Sequence, residues 1–208
     1  MTVSSLPRLY LITDRHQTAQ RPLASVLTQA LKNGARFIQV REKDLTTRDL
    51  CRLVQELDPI FSAHQAQWII NDRIDLALAL YAGGVHLRTS SLPTAVARRL
   101  LGPKRLIGVS THSLEETKAA ESEGADFVVL GPIYDTLSKR MYGDPLGLNI
   151  LEEACRTSRI PIYAIGGVTP KRVPELCESG AYGVAVISSI LQAENVARTT
   201  KAFLDLLA

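Results

Sequence analysis

Along the chain, short apolar runs alternate with longer stretches in which apolar residues return every three or four positions. The runs Leu9–Thr13, Phe37–Val40, Trp68–Ile70, Gly84–Leu87, Leu106–Val109, Phe127–Leu130, Ile162–Ile165 and Gly183–Ile187 have the length and β-rich make-up of buried strands. Between them, Pro22–Asn33, Thr47–His64, Ile74–Tyr81, Pro93–Leu101, Leu114–Ser122, Asn149–Thr157 and Pro170–Glu178 have the helical period, and Asn195–Leu207 closes the chain as the last helix. Eight successive strand–helix units predict a compact α/β (β/α)8 barrel, a closed parallel sheet ringed by helices. The competing open, doubly wound sheet usually carries a glycine-rich loop after its first strand, where this chain reads Thr13-Asp14-Arg15-His16. No linker or low-complexity tract interrupts the pattern, so residues 1–208 are read as a single barrel domain.

Local signals support the helix limits. Ser113 precedes Leu-Glu-Glu-Thr, a capping hydroxyl followed by first-turn carboxylates that favour the helix dipole. Thr169-Pro170 places a cap before a proline suited to the first helical position. Gly34, Gly124 and Gly180 each follow a helix, where a left-handed residue is wanted. Ala-Gly-Gly-Val-His (82–86), Glu-Gly-Ala-Asp-Phe (123–127) and Ser-Gly-Ala-Tyr-Gly-Val (179–184) then read as versions of one helix-to-strand turn.

Composition narrows the function classes. A hydrophobic fraction of 46% excludes a disordered chain. No apolar run approaches the ~20 residues of a membrane span, and Leu9-Tyr10-Leu11-Ile12 is too short for the core of a secretory signal. The net charge of +3, from 24 basic and 21 acidic residues, gives no reason to expect nucleic acid. Cys51, Cys155 and Cys177 are odd in number and widely spaced, which suits packing residues in a reducing cytoplasm.

In such a barrel, chemistry collects in the loops after the strands. Strand two ends in Gln39-Val40-Arg41-Glu42-Lys43-Asp44, and strand three in Asn71-Asp72-Arg73. His86 lies in strand four, with Arg88, Thr89, Ser90 and Ser91 beyond it, and strand five ends in Ser110-Thr111-His112. A long loop from Gly131 follows strand six and contains Asp135, Thr136, Ser138 and Lys139. Gly166-Gly167 follows strand seven, and Ile187-Ser188-Ser189 ends strand eight. Glycine lets backbone N–H groups approach an anion closely, and Arg41, Lys43 and Lys139 add positive charge from other loops. Two such clusters fit two phosphate groups or a pyrophosphate. Asp72 is a candidate Mg²⁺ ligand against phosphate oxygens. Each feature also has a plain structural reading: a solvated charged loop at 41–44, a tight turn at 166–167, a helix cap at 71–72. His86 reads as a satisfied interior histidine and His112 as a neighbour of a helix cap. Only the convergence of independent polar clusters on one barrel face favours a site.

Six strings together carry a resemblance. Phe-Ile-Gln-Val-Arg-Glu-Lys (37–43), Ile-Ile-Asn-Asp-Arg (69–73), Gly-Val-His-Leu (84–87), Gly-Val-Ser-Thr-His-Ser (108–113), Gly-Pro-Ile-Tyr-Asp-Thr-Leu-Ser-Lys (131–139) and Ala-Ile-Gly-Gly-Val-Thr-Pro (164–170) look like thiamine-phosphate synthase and its thiazole tautomerase (TenI-type) relatives. The likeness runs strand by strand through nearly the whole chain. It implies small phosphorylated pyrimidine and thiazole substrates, Mg²⁺, and neither nucleic acid nor membrane as partner; relatives range from monomer to trimer. It assigns Gln39, Arg41, Lys43, Asn71 and Lys139 to a pyrimidine pyrophosphate, Asp72 to Mg²⁺ and Ser110 to the pyrophosphate. Thr136 and Ser138 fall in the loop that meets the thiazole phosphate, and Gly167, Ile187 and Ser188 on that phosphate's backbone site.

The chain departs from the synthase pattern after strand four, where Gly-Val-His-Leu-Gly-Gln-x-Asp becomes Gly-Val-His-Leu-Arg-Thr-Ser-Ser. Ser91 thus stands where the pattern has a second Mg²⁺ carboxylate, which weakens the expected metal site, and Arg88 adds a charge. In the strand-six loop Asp135 replaces a proline and Ser138 a threonine. The best-known tautomerase pattern has a proton-shuttling histidine where this chain has Pro132. The expected activity is therefore condensation of the two phosphorylated precursors. A tautomerase with Asp135 as acid/base, or a non-catalytic phosphate-binding relative, are the alternatives.

Overall fold

The computed structural model of the chain describes residues 6–136 and 144–208. Eight parallel strands close into a barrel in sequence order: β1 (Leu9–Ile12), β2 (Phe37–Val40), β3 (Gln67–Asn71), β4 (Gly84–Leu87), β5 (Leu106–Thr111), β6 (Phe127–Leu130), β7 (Ile162–Ala164) and β8 (Gly183–Val186). Pairing of Leu9 with Val184 and of Tyr10 with Phe37 joins β1 to both β8 and β2, so the sheet has no edge. The helices are α1 (Leu23–Lys32), α2 (Thr47–Ala63), α3 (Ile74–Ala79), α4 (Thr94–Leu101), α5 (Leu114–Ser122), α6 (Gly147–Thr157), α7 (Val173–Glu178), α8 (Ser188–Leu191) and α9 (Val196–Leu207).

The period-two alternation of each strand divides the core into two compartments. Outward residues such as Leu9, Leu11, Ile38, Val40, Val85 and Val128 pack under the helices. From α1 they meet Leu23, Val26, Leu27, Ala30 and Leu31, all buried, at the spacing of one helical stripe. Inward residues Tyr10, Phe37, Phe127 and Tyr163 fill the N-terminal half of the barrel. The Tyr10 and Phe37 rings stack with centroids 4.3 Å apart, and Phe127 meets Tyr163 edge-on at 5.4 Å. This aromatic plug seals the bottom, so any ligand must enter from the other end.

The helix-to-strand turn is built as expected at Gly34, whose φ is +103°. Its N–H bonds to the Leu31 carbonyl, and the Ala35 N–H bonds to the Ala30 carbonyl. Gly124 and Gly180 repeat the pattern. In Ala-Gly-Gly-Val-His, however, the left-handed residue is Tyr81, at φ +56°, rather than a glycine. Two further differences follow from short-range chemistry. The stretch 170–178 is a 3₁₀ turn over Pro170–Arg172 followed by α7, because Pro174 has no N–H to give the Pro170 carbonyl. The helix α8 was not expected; four residues are too few to show a period, and the burial of Ile190 and Leu191 is what holds it. The three cysteines lie on α2, α6 and α7, partly buried against the core. Among the described residues, no helix is long and apolar enough to cross a membrane.

Candidate active site

A cavity of about 630 Å³ opens at the C-terminal ends of the strands. That volume lies in the ordinary range for small-ligand sites. Its floor is the next inward layer above the aromatic plug, two residues along each strand. On β2 to β5 this layer is polar: Gln39, Asn71, His86 and Ser110. On the remaining strands and their ends it is apolar: Ile12, Val129, Ile165 and Ala185. The site thus has a polar and an apolar half, fixed by which residue follows each plug residue by two.

The polar half is wired together. Gln39 Nε2 donates to Tyr10 Oη over 2.8 Å, Tyr10 Oη lies 3.3 Å from His86 Nδ1, and His86 Nε2 lies 2.9 Å from Ser110 Oγ. Burial, helped by the charge of Arg41, lowers the His86 pKa to about 3, so the ring is neutral. Burial also keeps the Tyr10 phenol protonated. With the Gln39 amide facing the phenol oxygen, the phenol proton finds its acceptor at Nδ1. His86 then carries its hydrogen on Nε2 and donates it to Ser110 Oγ. The Ser110 hydroxyl is left with its own hydrogen to give to a ligand. His86 is the interior histidine expected from the sequence, and it is also the residue that sets the polarity of Ser110.

The charged loop after β2 sorts its side chains by alternation. Arg41 and Lys43 line the cavity. Glu42 and Asp44 turn to Arg15, which bonds Glu42 at 3.2 Å and Asp44 at 2.7 and 2.5 Å, and His16 Nε2 lies 3.0 Å from Asp44. The backbone N–H of Arg41 donates to Thr13 Oγ1 over 2.9 Å, which pins the start of the loop. Burial lowers the pKa of Arg41, partly offset by Asp14, and the like charge of Arg88 lowers it further. Arg88 lines the same cavity. Asp72 does not; Arg88 Nη2 bonds its Oδ2 at 2.5 Å, and the Ser91 hydroxyl bonds its Oδ1. Burial alone would raise the Asp72 pKa, but these hydrogen bonds and the charges of Arg88 and Arg73 outweigh it. No group of three or more potential metal-ligating side chains stands together among the described residues.

On the opposite rim, Gly166, Gly167, Ile187, Ser188 and Ser189 line the cavity. Ser188 and Ser189 open α8, where backbone N–H groups precede the first helical hydrogen bonds. Gly166 and Gly167 have φ of +98° and +66°. A Cβ on Gly166 would lie 2.5 Å from Pro132 Cβ, and one on Gly167 would lie 2.9 Å from Tyr134 Cβ. Behind the turn, Arg172 Nη1 donates to the Gly167 carbonyl over 2.6 Å and its guanidinium sits 4.1 Å from the Tyr134 ring centre. Gly166→Ala is therefore expected to cost about 2–3 kcal/mol, from the left-handed backbone and a contact with rigid proline. Denaturant midpoints would show the loss, and phosphate-ester affinity would fall with it.

Of the residues singled out from the sequence, Gln39, Arg41, Lys43, Asn71, Ser110, Thr136, Gly167, Ile187 and Ser188 meet at this cavity. Asp135 is exposed and is not in the lining, and Asp72 stands behind Arg88. Ser138 and Lys139 lie outside the described residues. His112 is the neighbour of a helix cap that the sequence suggests, and it also lines the cavity, with Nδ1 2.5 Å from the Gly131 carbonyl, a part the sequence reading did not give it. β5 runs on to Thr111. Carrying the alternation Gly108, Ser110, His112 past Val109 would have found it.

Cationic side chains from the loops after β2 and β4, and glycine backbone after β7, line one cavity above a closed (β/α)8 barrel. The chain belongs to the thiamine monophosphate synthase family, whose model matches residues 9–190. A Geobacter sulfurreducens protein is 45% identical over 199 residues, covering 96% of this chain and 93% of its own. The thiamine-phosphate synthase of Chlorobium phaeovibrioides is 43% identical over 190 residues, covering 91% and 89% respectively. The solved thiamine phosphate pyrophosphorylase from Pyrococcus furiosus superposes with a TM-score of 0.87 at 34% identity, covering 96% of this chain and 95% of that one.

Proposed function

We propose that this protein is a thiamine-phosphate synthase, joining hydroxymethylpyrimidine pyrophosphate to thiazole phosphate. The bond from the pyrimidine methylene carbon to the pyrophosphate oxygen breaks, and pyrophosphate leaves with the electron pair. The thiazole ring nitrogen then supplies the pair for the new carbon–nitrogen bond. No protein nucleophile is required; the chain must stabilise the departing charge, align two substrates and exclude water. Arg41 and Lys43 take up the charge that grows on the leaving group, with Asn71 and the outward-donating Ser110 hydroxyl beside them. The backbone of Gly166–Gly167 and Ser188–Ser189 holds the second phosphate. Ile12, Val129, Ile165 and Ala185 give the organic rings an apolar floor and deny water a polar foothold.

The observation that carries this reading is that the cations Arg41, Lys43 and Arg88 and the backbone of Gly166–Gly167 and Ser188–Ser189, two groups each suited to an anion, line one cavity. A single phosphorylated substrate needs only one. Asp135, the acid/base that the tautomerase alternative calls on, is exposed and outside the lining. Mg²⁺ is the cofactor the resemblance implies. The donors around Asp72 do not fit it, since both carboxylate oxygens are already bonded and its charge is matched by Arg88. The test is turnover of the two phosphorylated precursors, with formation of thiamine phosphate and pyrophosphate expected. No product after long incubation at high enzyme concentration would reject the reading.

A further inference from the structure

At the end of β4, Arg88, Ser91 and Asp72 close into a ring. Arg88 Nη2 donates to Asp72 Oδ2, the Ser91 hydroxyl donates to Asp72 Oδ1, and the Arg88 backbone N–H donates to Ser91 Oγ over 2.8 Å. Asp72 is itself held at φ +64°, with its N–H on the His86 carbonyl at 2.8 Å. Arg88 faces the cavity and Asp72 does not. The bond to Asp72 uses one of the five guanidinium N–H donors. The Nε atom is buried without a hydrogen-bond partner among the described residues.

A Mg²⁺ ion asks for oxygen donors in near-octahedral array. At Asp72 it would have to displace a guanidinium from 2.5 Å and then sit beside that charge and the charge of Arg41. A diphosphate has the opposite preference. Two guanidinia that line one wall and repel each other are both stabilised by an anion placed between them, and the guanidinium fork matches phosphate oxygens. The ring through Asp72 and Ser91 holds Arg88 in place before the ligand arrives, so little side-chain freedom is lost on binding.

We infer that Arg88 takes the place of a protein-bound divalent cation at this rim. The diphosphate docks directly on the Arg41–Arg88 pair, and the chain binds it without holding Mg²⁺ at Asp72. The inference rests on the synthase reading for the identity of the anion.

Calorimetric titration with inorganic pyrophosphate, in excess Mg²⁺ and in EDTA, tests it. The wild-type dissociation constants in the two buffers are expected to agree within about threefold. In the double variant Arg88→Gly/Ser91→Asp, which restores a carboxylate pair, affinity in EDTA should fall about tenfold or more and return with Mg²⁺. Mg²⁺ titrated alone should raise the melting temperature of that variant and not of the wild type. Wild-type binding that vanishes in EDTA overturns the inference and leaves the synthase reading standing. Absence of binding in both buffers overturns both. The wild-type comparison decides the matter even where the double variant fails to fold.

Discussion

Arg41→Ala is expected to lower kcat/KM for thiamine phosphate formation by about 10³-fold, or about 4 kcal/mol of transition-state stabilisation. The size follows from where the guanidinium sits. It is partly buried in the cavity wall, on a loop pinned through Thr13, so its field toward a departing pyrophosphate is less screened than that of a surface arginine. Most of the loss should fall on kcat, because the leaving group gains negative charge as the carbon–oxygen bond breaks. Arg41→Lys should recover part of the rate but not the paired hydrogen bonds of the fork. Steady-state kinetics of the two variants check this. A loss under tenfold, or one confined to KM, would remove Arg41 from the charge-stabilising role.

The second large effect is on stability in acid. His86 is an ordinary histidine in the unfolded chain, near 6.5, and is held at about 3 in the fold, chiefly by burial. As pH drops below about 6.5 the unfolded state takes up a proton at His86 that the folded state refuses until about pH 3. Folding stability from this group is therefore full above about pH 6.5 and is lost as pH falls toward 3. The slope approaches about 1.4 kcal/mol per pH unit for one proton. His86→Gln should show a shallower acid slope than wild type. At pH 8 it should be less stable by about 1–3 kcal/mol, because the Tyr10–His86–Ser110 chain is broken. Urea midpoints at several pH values between 8 and 4, compared for the two proteins, measure both. Equal acid slopes would show that His86 is not the group responsible.

The comparison of Arg41 with Asp44 shows how far the sequence could be read. Both lie in one four-residue charged run, which by itself is equally a solvated loop. The run says nothing about Arg15, which is close in space but 29 residues from Asp44 along the chain. Once Arg15 and His16 engage Glu42 and Asp44, the remaining pair, Arg41 and Lys43, becomes the cavity wall. Asp72 is the converse case. As a carboxylate at a strand end it fits a metal ligand, and only the arrival of Arg88 from the next strand shows that its oxygens are taken.

His86 and His112 make the same point from the other direction. Each has an ordinary sequence context, a strand interior and a helix start. The first acquires its part through Tyr10 and Ser110, on strands distant in sequence, and the second by lying at the rim beside Gly131. The strand alternation could have placed His112 at the rim, but the contacts of both residues join segments far apart in the chain.

Sequence alone determined the barrel, because strand and helix periods, caps and the Gly34-type turns are short-range matters settled within a few residues. It also determined which loops share a face, since in parallel βα units every strand ends on the same side. Only the tertiary structure decided which charges face the ligand and which cancel one another. That choice depends on pairings between side chains from different strands, and Coulomb and hydrogen-bond energies are set by distances in space that the order of residues does not contain.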